Sequence, residues 1–182
     1  MGSSAGTGVI AVSRAAGTRV IFSPSGGASR ELARLIKGAK KEIAVAAYAF
    51  SSKYLGQALA GVLKRGVKIR VLLDGDNARK AYSLDEWLAG EGIEVRLAEI
   101  QRGSLHHKFM LIDAKLLITG SYNFTNESEF RNHEAAVFTN SKTLIQSFAA
   151  EFERLWGQYA TSESTATQTA DTSAGGSSPD AD

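Results

Sequence analysis

The segment best equipped for chemistry is LHHKFMLIDAKLLITGSYNF, residues 105 to 124, in which polar side chains flank two apolar runs. His106 and Lys108 stand two positions apart at the start of the first run, and Ser121 and Asn123 stand two apart after the second. Side chains two positions apart on an extended backbone point to the same face. The spacing therefore predicts an imidazole beside an ammonium, and a hydroxyl beside an amide.

Together these groups can act on a phosphate ester. The Lys108 ammonium is a point charge suited to phosphate, and it favours the neutral His106 imidazole, the form able to attack an electrophile. Ser121 and Asn123 can add hydrogen bonds to the same oxyanion, and Gly120 lets a backbone approach closely. Taken singly, each group has a plainer explanation as a surface histidine, an edge lysine or a turn residue.

The same alternation separates a second pair of side chains from this site. If the strand runs through residue 112, His107 and Asp113 fall on the face opposite His106 and Lys108. We therefore expect a structural role for His107 and a structural or charge-balancing role for Asp113. This arrangement argues against a simple His-Lys-Asp triad.

Strand-like and helix-like stretches alternate before this segment. Strands are predicted at 18–24, 42–50, 67–74 and 93–99, and helices near 32–36, at 53–65 and at 84–92. After residue 104 we expect a hairpin of 106–113 and 115–120, a strand at 133–139 and a helix at 143–156. The order predicts an α/β domain with a mixed, mostly parallel sheet and helices on both faces.

Composition divides the chain into a folded body and two terminal segments that we do not expect to fold. A hydrophobic fraction of 43% and a charged fraction of 22% are ordinary for a globular protein of 182 residues. We expect a flexible segment at 1–18, one folded domain at 19–158 and a disordered, Ser/Thr-rich acidic tail at 159–182. Because cysteine is absent, a disulfide framework and thiolate metal sites are excluded.

The net charge of +2 hides a basic body. Residues 161–182 contain four acidic and no basic side chains, so residues 1–160 carry 21 bases against 15 acids, or +6. A basic body suits an anionic partner, and solvated surface explains the charge equally well. No run of eighteen apolar residues occurs, so we expect no stable membrane insertion. Cytoplasmic and exported locations both stay open.

The polar positions of the segment resemble a known pattern, the H-x-K-x4-D-x6-G-S-x-N motif of the phospholipase D superfamily. It stands here as His106, Lys108, Asp113, Gly120, Ser121 and Asn123, with every spacing kept. The downstream RNHEAAV resembles the N-x-E of the same superfamily, at Asn132 and Glu134. The likeness extends over residues 19 to 158 and points to small single-motif members, the bacterial endonucleases and the mitochondrial cardiolipin hydrolase-type proteins.

The resemblance implies an enzyme with a site shared by two copies. Members bring two motifs together, whereas this chain has one, so a homodimer is implied, with a His106 from each copy. One His106 would form a phosphohistidine while the other protonates the leaving oxygen, and Glu134 would orient the imidazole. Lys108, Ser121 and Asn123 would bind the phosphate oxygens, with Asp113 and Gly120 as structural positions. No cofactor or metal is implied.

The substrate is the least determined feature. We expect a nuclease acting on DNA or RNA, whose basic and aromatic side chains line a groove near the site. One alternative is a lipid hydrolase acting on cardiolipin or phosphatidyl substrates, and another is a catalytically idle nucleic-acid-binding dimer. The groove candidates are Lys53, Arg79, Lys80, Arg102, Arg131, Tyr54, Tyr82 and Tyr122.

Overall fold

A computed structural model describes residues 17–24 and 26–160. The strands are β1 (Arg19–Phe22), β2 (Glu42–Ala47), β3 (Lys68–Asp74), β4 (Glu94–Ala98), β5 (Lys108–Ile112), β6 (Leu116–Gly120) and β7 (Ala135–Thr139). All seven form a single sheet. Most of the predicted flexible segment and of the predicted tail lies outside the described residues.

Six helices connect or flank these strands within the described ranges. They are α1 (Ala28–Gly38), α2 (Lys53–Leu63), α3 (Gly75–Ala78), α4 (Asp85–Gly90), α5 (Asn126–Phe130) and α6 (Lys142–Gln158). Ser52, Thr125 and Ser141 begin α2, α5 and α6, and each side chain accepts a hydrogen bond from a backbone N–H of the first turn. The sequence pattern did not predict α3 and α5, because helices this short contain no repeat of apolar positions.

The strand order β1-β7-β6-β5-β2-β3-β4 corrects the prediction of a mostly parallel sheet. Only β2 with β3 and β3 with β4 pair in parallel, and the other four pairings are antiparallel. The sheet is therefore mixed, as expected, but its parallel part is confined to three strands. The predicted hairpin of β5 and β6 is confirmed, with Asp113 and Ala114 at positive φ in its turn.

Alternate residues of the central strands enter two separate cores. On β5, Met110 packs with the cluster that includes α1 and α2, whereas Phe109 packs with α6 residues such as Phe152. On β2, Val45 and Ala46 divide in the same way. Helices therefore cover both faces, as the near-continuous apolar runs of these strands predicted.

None of the described helices has the length and apolar composition that a membrane crossing requires.

Candidate active site

The candidate residues meet at one edge of the sheet. β2 ends where β5 begins, since Ala47 is the partner of Lys108. β6 ends where β7 begins, since Gly120 is the partner of Ala136. Because β5 and β6 are themselves paired, His106, Lys108, Ser121, Asn123 and Glu134 all stand on this edge. Loops at the ends of sheet strands are the usual place for binding and catalytic groups.

His106 lies just before β5 and contacts an aromatic ring. Its imidazole is tilted by 59° against Tyr48, with 4.5 Å between ring centroids. The Tyr48 backbone N–H donates to the carbonyl of His107 over 2.8 Å, which fixes the end of β2 beside the start of β5. Because His106 is exposed, the ring is supported on one side and accessible to a substrate.

Lys108 is half-buried beside the same tyrosine. Its Nζ donates to the His106 carbonyl oxygen over 2.7 Å and lies 4.9 Å from the centroid of the Tyr48 ring. Burial lowers the pKa of Lys108, and the negative charge of Glu134 opposes part of that effect. An arriving phosphate supplies the negative charge that a desolvated ammonium lacks.

His107 points to the other face of the sheet, as the predicted register requires. Its Nε2 lies 3.4 Å from a carboxylate oxygen of Glu151 on α6, and its ring packs on Phe109 at 5.5 Å. The two adjacent histidines therefore occupy different surroundings, and His106 faces the candidate site.

Asp113 lies in the β5–β6 turn, at the end of β5 opposite to Lys108. Its carboxylate accepts from the backbone N–H groups of Lys40, Lys41 and Glu42 at 2.7–3.2 Å. Partial burial raises the pKa of Asp113, but these bonds outweigh it, so the pKa lies below its ordinary value. The side chain ties the hairpin to the start of β2.

Gly120 and Ser121 join the end of β6 to β7. Gly120 has φ +145°, and a Cβ there would lie 2.0 Å from the carbonyl oxygen of Ala135, so the close approach requires glycine. The Ser121 backbone N–H donates to that same oxygen, and the Ser121 hydroxyl accepts from the Ala135 N–H, both at 3.1 Å. The hydroxyl proton of the exposed Ser121 remains available for a ligand.

Asn123 lies against a groove of about 750 Å³. Its Oδ1 is buried and has no hydrogen-bond partner among the described residues. Buried polar atoms in native proteins are nearly always paired, so Asn123 Oδ1 is an exception among the described residues. The groove is also lined by Lys53, Tyr82 and Asn132.

Glu134 is held just before β7 by two neighbours. Its Oε1 accepts from the Asn132 amide over 3.1 Å. The buried hydroxyl of Ser23 donates to the Asn132 carbonyl at 2.9 Å and accepts from the Glu134 N–H at 3.2 Å. Ser23, directly after β1, therefore fixes the N-x-E segment, although the two are more than 100 positions apart in the sequence. The sequence pattern did not single out Ser23 or Tyr48.

Tyr122 corrects one of the sequence predictions. We expected it among the rings that a nucleic acid could contact, but it is only 4% exposed. Its hydroxyl donates to Glu129 Oε2 over 2.8 Å, and Glu129 also accepts from the Gly27 and Ser29 backbone N–H groups that begin α1. Burial, followed by the hydrogen bond to Glu129 and the charge of Glu129, raises the pKa of Tyr122. Tyr122 anchors the loop that carries Ser121 and Asn123.

The other groove candidates separate into three groups. Lys53 and Tyr82 line the groove beside Asn123. Tyr54 lines a different groove, between β1 and α1, together with Arg30 and Lys37. The remaining candidates do not line the groove beside Asn123, and the structure pairs Arg79 with Asp76 and Glu99, places Lys80 on the Asn77 amide, and leaves Arg102 and Arg131 on the surface.

A family profile described as a cardiolipin synthase, PLD-like domain matches residues 32–156. The chain belongs to the phospholipase D-like family. The match spans both halves of the motif and the N-x-E segment, so the family predicted from their spacing is confirmed.

Relatives of this phospholipase D-like chain carry two kinds of name. The human mitochondrial cardiolipin hydrolase is 36% identical over 128 residues, which are 70% of this chain and 50% of that protein. A phospholipase D of Rickettsia felis is 34% identical over 127 residues, 70% of this chain and 63% of the relative. The chain thus spans about half the length of the human protein and under two thirds of the rickettsial one.

A solved structure matches the phospholipase D-like domain over almost its whole length. Nuc, a phospholipase D family member from Salmonella typhimurium, superposes with a TM-score of 0.72 at 30% identity, covering 79% of this chain and 95% of that one. The predicted single α/β domain is confirmed by this likeness.

Proposed function

We propose that the chain is a metal-independent phosphodiesterase that cleaves nucleic acid through a phosphohistidine intermediate. The observation that carries the proposal is the meeting of His106, Lys108, Ser121 and Asn123 at one edge of the sheet, where Asn123 also lines a groove. These groups supply a nucleophile, a cation and two hydrogen-bonding side chains for a phosphoryl group. Their arrangement matches what electrostatic stabilisation of a phosphoryl transition state requires.

In the proposed reaction, the neutral imidazole of one His106 attacks phosphorus. A P–N bond forms as the P–O bond to the leaving oxygen breaks, and that oxygen takes a proton from a second imidazole. The second imidazole then removes a proton from water, which attacks phosphorus, breaks the P–N bond and regenerates His106. Lys108, Ser121 and Asn123 hold the non-bridging oxygens throughout.

Glu134 is proposed to orient the catalytic imidazole. One of its oxygens accepts from Asn132, and the other has no partner among the described residues. A carboxylate that accepts from one ring nitrogen leaves the opposite nitrogen free for attack. The segment that carries Glu134 is fixed by Ser23, so the carboxylate has a rigid support.

The second imidazole is proposed to come from a second copy of the chain. The sequence contains three histidines, and only His106 stands in an H-x-K pattern. His107 contacts α6 on the opposite face, and His133 lies in the N-x-E segment without a nearby lysine partner. A two-fold dimer would place a His106 from each copy at one shared site.

Two observations bear on the choice between nucleic acid and lipid. Nine of the twelve residues that line the groove at Asn123 carry amide, hydroxyl or charged side chains, and such groups can hydrogen-bond to a nucleotide. The lipid alternative is favoured by the relatives named cardiolipin hydrolase and phospholipase D. We place nucleic acid first because the groove is a property of this chain.

The proposal is tested by incubating wild-type and His106→Ala protein with single-stranded DNA, plasmid DNA, RNA and cardiolipin vesicles, all in EDTA. We expect wild type to cleave nucleic acid and His106→Ala to lose at least about a thousandfold in rate, as nucleophile removal does elsewhere. Circular dichroism should show an unchanged fold. Cleavage of lipid alone would move the function to the lipid alternative, and equal activity of the two proteins would remove the phosphohistidine mechanism.

A further inference from the structure

We propose that the groove beside Asn123 is a nucleoside subsite, in which a base next to the scissile phosphate stacks on Tyr82. The inference rests on the proposed function, because it takes Asn123 as a ligand of the scissile phosphate. It goes further by naming the part of the substrate that binds in the groove, which the H-x-K pattern does not specify. The groove has about 750 Å³, within the range of pockets that hold small organic ligands.

The unpaired Asn123 oxygen calls for a hydrogen-bond donor. A phosphodiester has oxygen acceptors and no N–H or O–H group, so it satisfies the Asn123 NH₂ but not the buried Oδ1. A nucleobase carries ring or exocyclic N–H donors within one nucleotide of the phosphate. A nucleoside in the groove supplies this kind of group once the Asn123 side chain rotates, because Oδ1 is closed off from the groove in the conformation described.

Tyr82 provides a stacking surface that is held in place. The side chain is 54% exposed and lines the groove. Its hydroxyl lies 3.4 Å from the Asn77 side-chain oxygen, and the Asn77 amide donates to the buried Asp74 carboxylate over 2.9 Å. An exposed aromatic ring with few rotatable bonds can stack on a base with little loss of side-chain entropy.

The rest of the groove fits a nucleotide rather than an acyl chain. Lys53 stands in the first turn of α2, where a phosphate is also favoured by the helix dipole. Asn126 and Asn132 also line the groove, and their polar side chains can hydrogen-bond to a nucleotide but not to an acyl chain. A neighbouring phosphate on Lys53 and a base on Tyr82 would use the charged and aromatic parts of the same groove.

The test measures binding by catalytically inactive protein, so that cleavage does not interfere. His106→Ala protein is titrated with a fluorescent single-stranded oligonucleotide and with the same oligonucleotide made abasic throughout. The double variant His106→Ala/Tyr82→Ala should bind the normal oligonucleotide about 5- to 150-fold more weakly than the His106→Ala parent, which is the range for one base–aromatic stack. Adding Tyr82→Phe should change the affinity about twofold or less, because the ring is kept.

Two controls test whether the loss of affinity depends on the base and on the position of the ring. On the abasic oligonucleotide, Tyr82→Ala and its parent should bind equally. Tyr54→Ala removes a ring of similar exposure, 47%, from the groove between β1 and α1 and should leave both affinities unchanged. Equal binding of the normal oligonucleotide by Tyr82→Ala and its parent, or an equal loss on the abasic one, would overturn the subsite.

Cleavage assays separate this inference from the proposed function. If wild type cleaves DNA or RNA and Tyr82→Ala matches it in KM and oligonucleotide affinity, the function stands and the subsite fails. If wild type cleaves no nucleic acid but the base-dependent loss on Tyr82→Ala is seen, the subsite stands and the nuclease function fails.

Discussion

At the scale of single residues, the candidate site combines the exposed imidazole of His106 with the partly desolvated ammonium of Lys108. Lys108 donates to the backbone of the residue that it is proposed to assist, and packs on the ring that supports His106. Its pKa is lowered because burial removes water from the ammonium. A phosphate that binds there would supply the negative charge that the desolvated ammonium lacks.

Lys108 should change how the free energy of unfolding depends on pH. Its folded pKa is lowered, so between that value and the unfolded value of about 10.4 the unfolded chain holds more protons. Unfolding free energy then rises with pH across this window. We expect wild type to gain stability relative to Lys108→Met between pH 7 and pH 10, measured by urea denaturation. A relative loss over the same interval would contradict the lowered pKa.

His107→Ala is the matched control for His106→Ala, because the two residues are adjacent but face opposite sides of the sheet. His107 contacts Glu151 at a half-exposed position, where such pairs contribute about 1 kcal/mol or less. We expect a loss of that order in unfolding free energy and hydrolysis within a few-fold of wild type. A loss of activity as deep as that of His106→Ala would mean that both histidines serve the reaction.

Residue spacing was enough to predict which side chains face the same side of β5, because a two-residue period fixes the face of each position on an extended strand. It predicted the separation of His106 from His107 for this reason. It did not predict Tyr48 or Ser23, whose contacts with the site depend on strands distant in sequence. It also misplaced Tyr122, since exposure of an aromatic residue in a loop depends on what packs above it.

At the scale of elements, a buried carboxylate joins three parts of the chain that surround the site. Glu129 on α5 accepts from the first N–H groups of α1 and from Tyr122 in the loop after β6. Negative charge at a helix N-terminus is favourable, and here it satisfies N–H groups that have no partner within the helix. Glu129 thereby couples the position of the Ser121–Asn123 loop to α1.

Tyr122→Phe tests this coupling. Removing the hydroxyl deletes one of the bonds to a buried carboxylate, so we expect a loss of about 1–3 kcal/mol in unfolding free energy. We also expect a lower kcat, because the loop with Ser121 and Asn123 loses its anchor. Tyr54→Phe, at an exposed tyrosine, should change stability by less than about 0.5 kcal/mol. Equal stability of the two variants would show that the bond contributes nothing.

Most of the elements were predictable, but the sheet pairing was not. The first four strands alternate with helices, which is typical of parallel sheets, and β2, β3 and β4 do pair in this way. β5 pairs antiparallel with β2 rather than extending the parallel series. A hairpin signal shows that β5 and β6 are antiparallel to each other, yet it does not determine where the hairpin joins the sheet.

At the scale of the whole molecule, the proposed mechanism requires two chains for one site. Co-expression of wild-type and His106→Ala chains with different affinity tags would allow purification of the mixed dimer. Because both imidazoles take part in each turnover, we expect the mixed dimer to be nearly as inactive as the His106→Ala homodimer. Activity of about half the wild-type level would indicate independent sites, and failure to capture both tags would argue against a dimer.

The part of the chain that matches the family begins at residue 32, after β1. Yet β1 pairs along β7, and Ser23 directly beyond it holds the backbone of Asn132 and Glu134. A fragment trimmed to the matched boundaries would keep every position of the H-x-K and N-x-E patterns while losing the strand that braces Glu134. The segment needed to support Glu134 is therefore longer than the segment that matches the family profile. Domain limits for expression should be chosen from strand pairing rather than from the limits of that match.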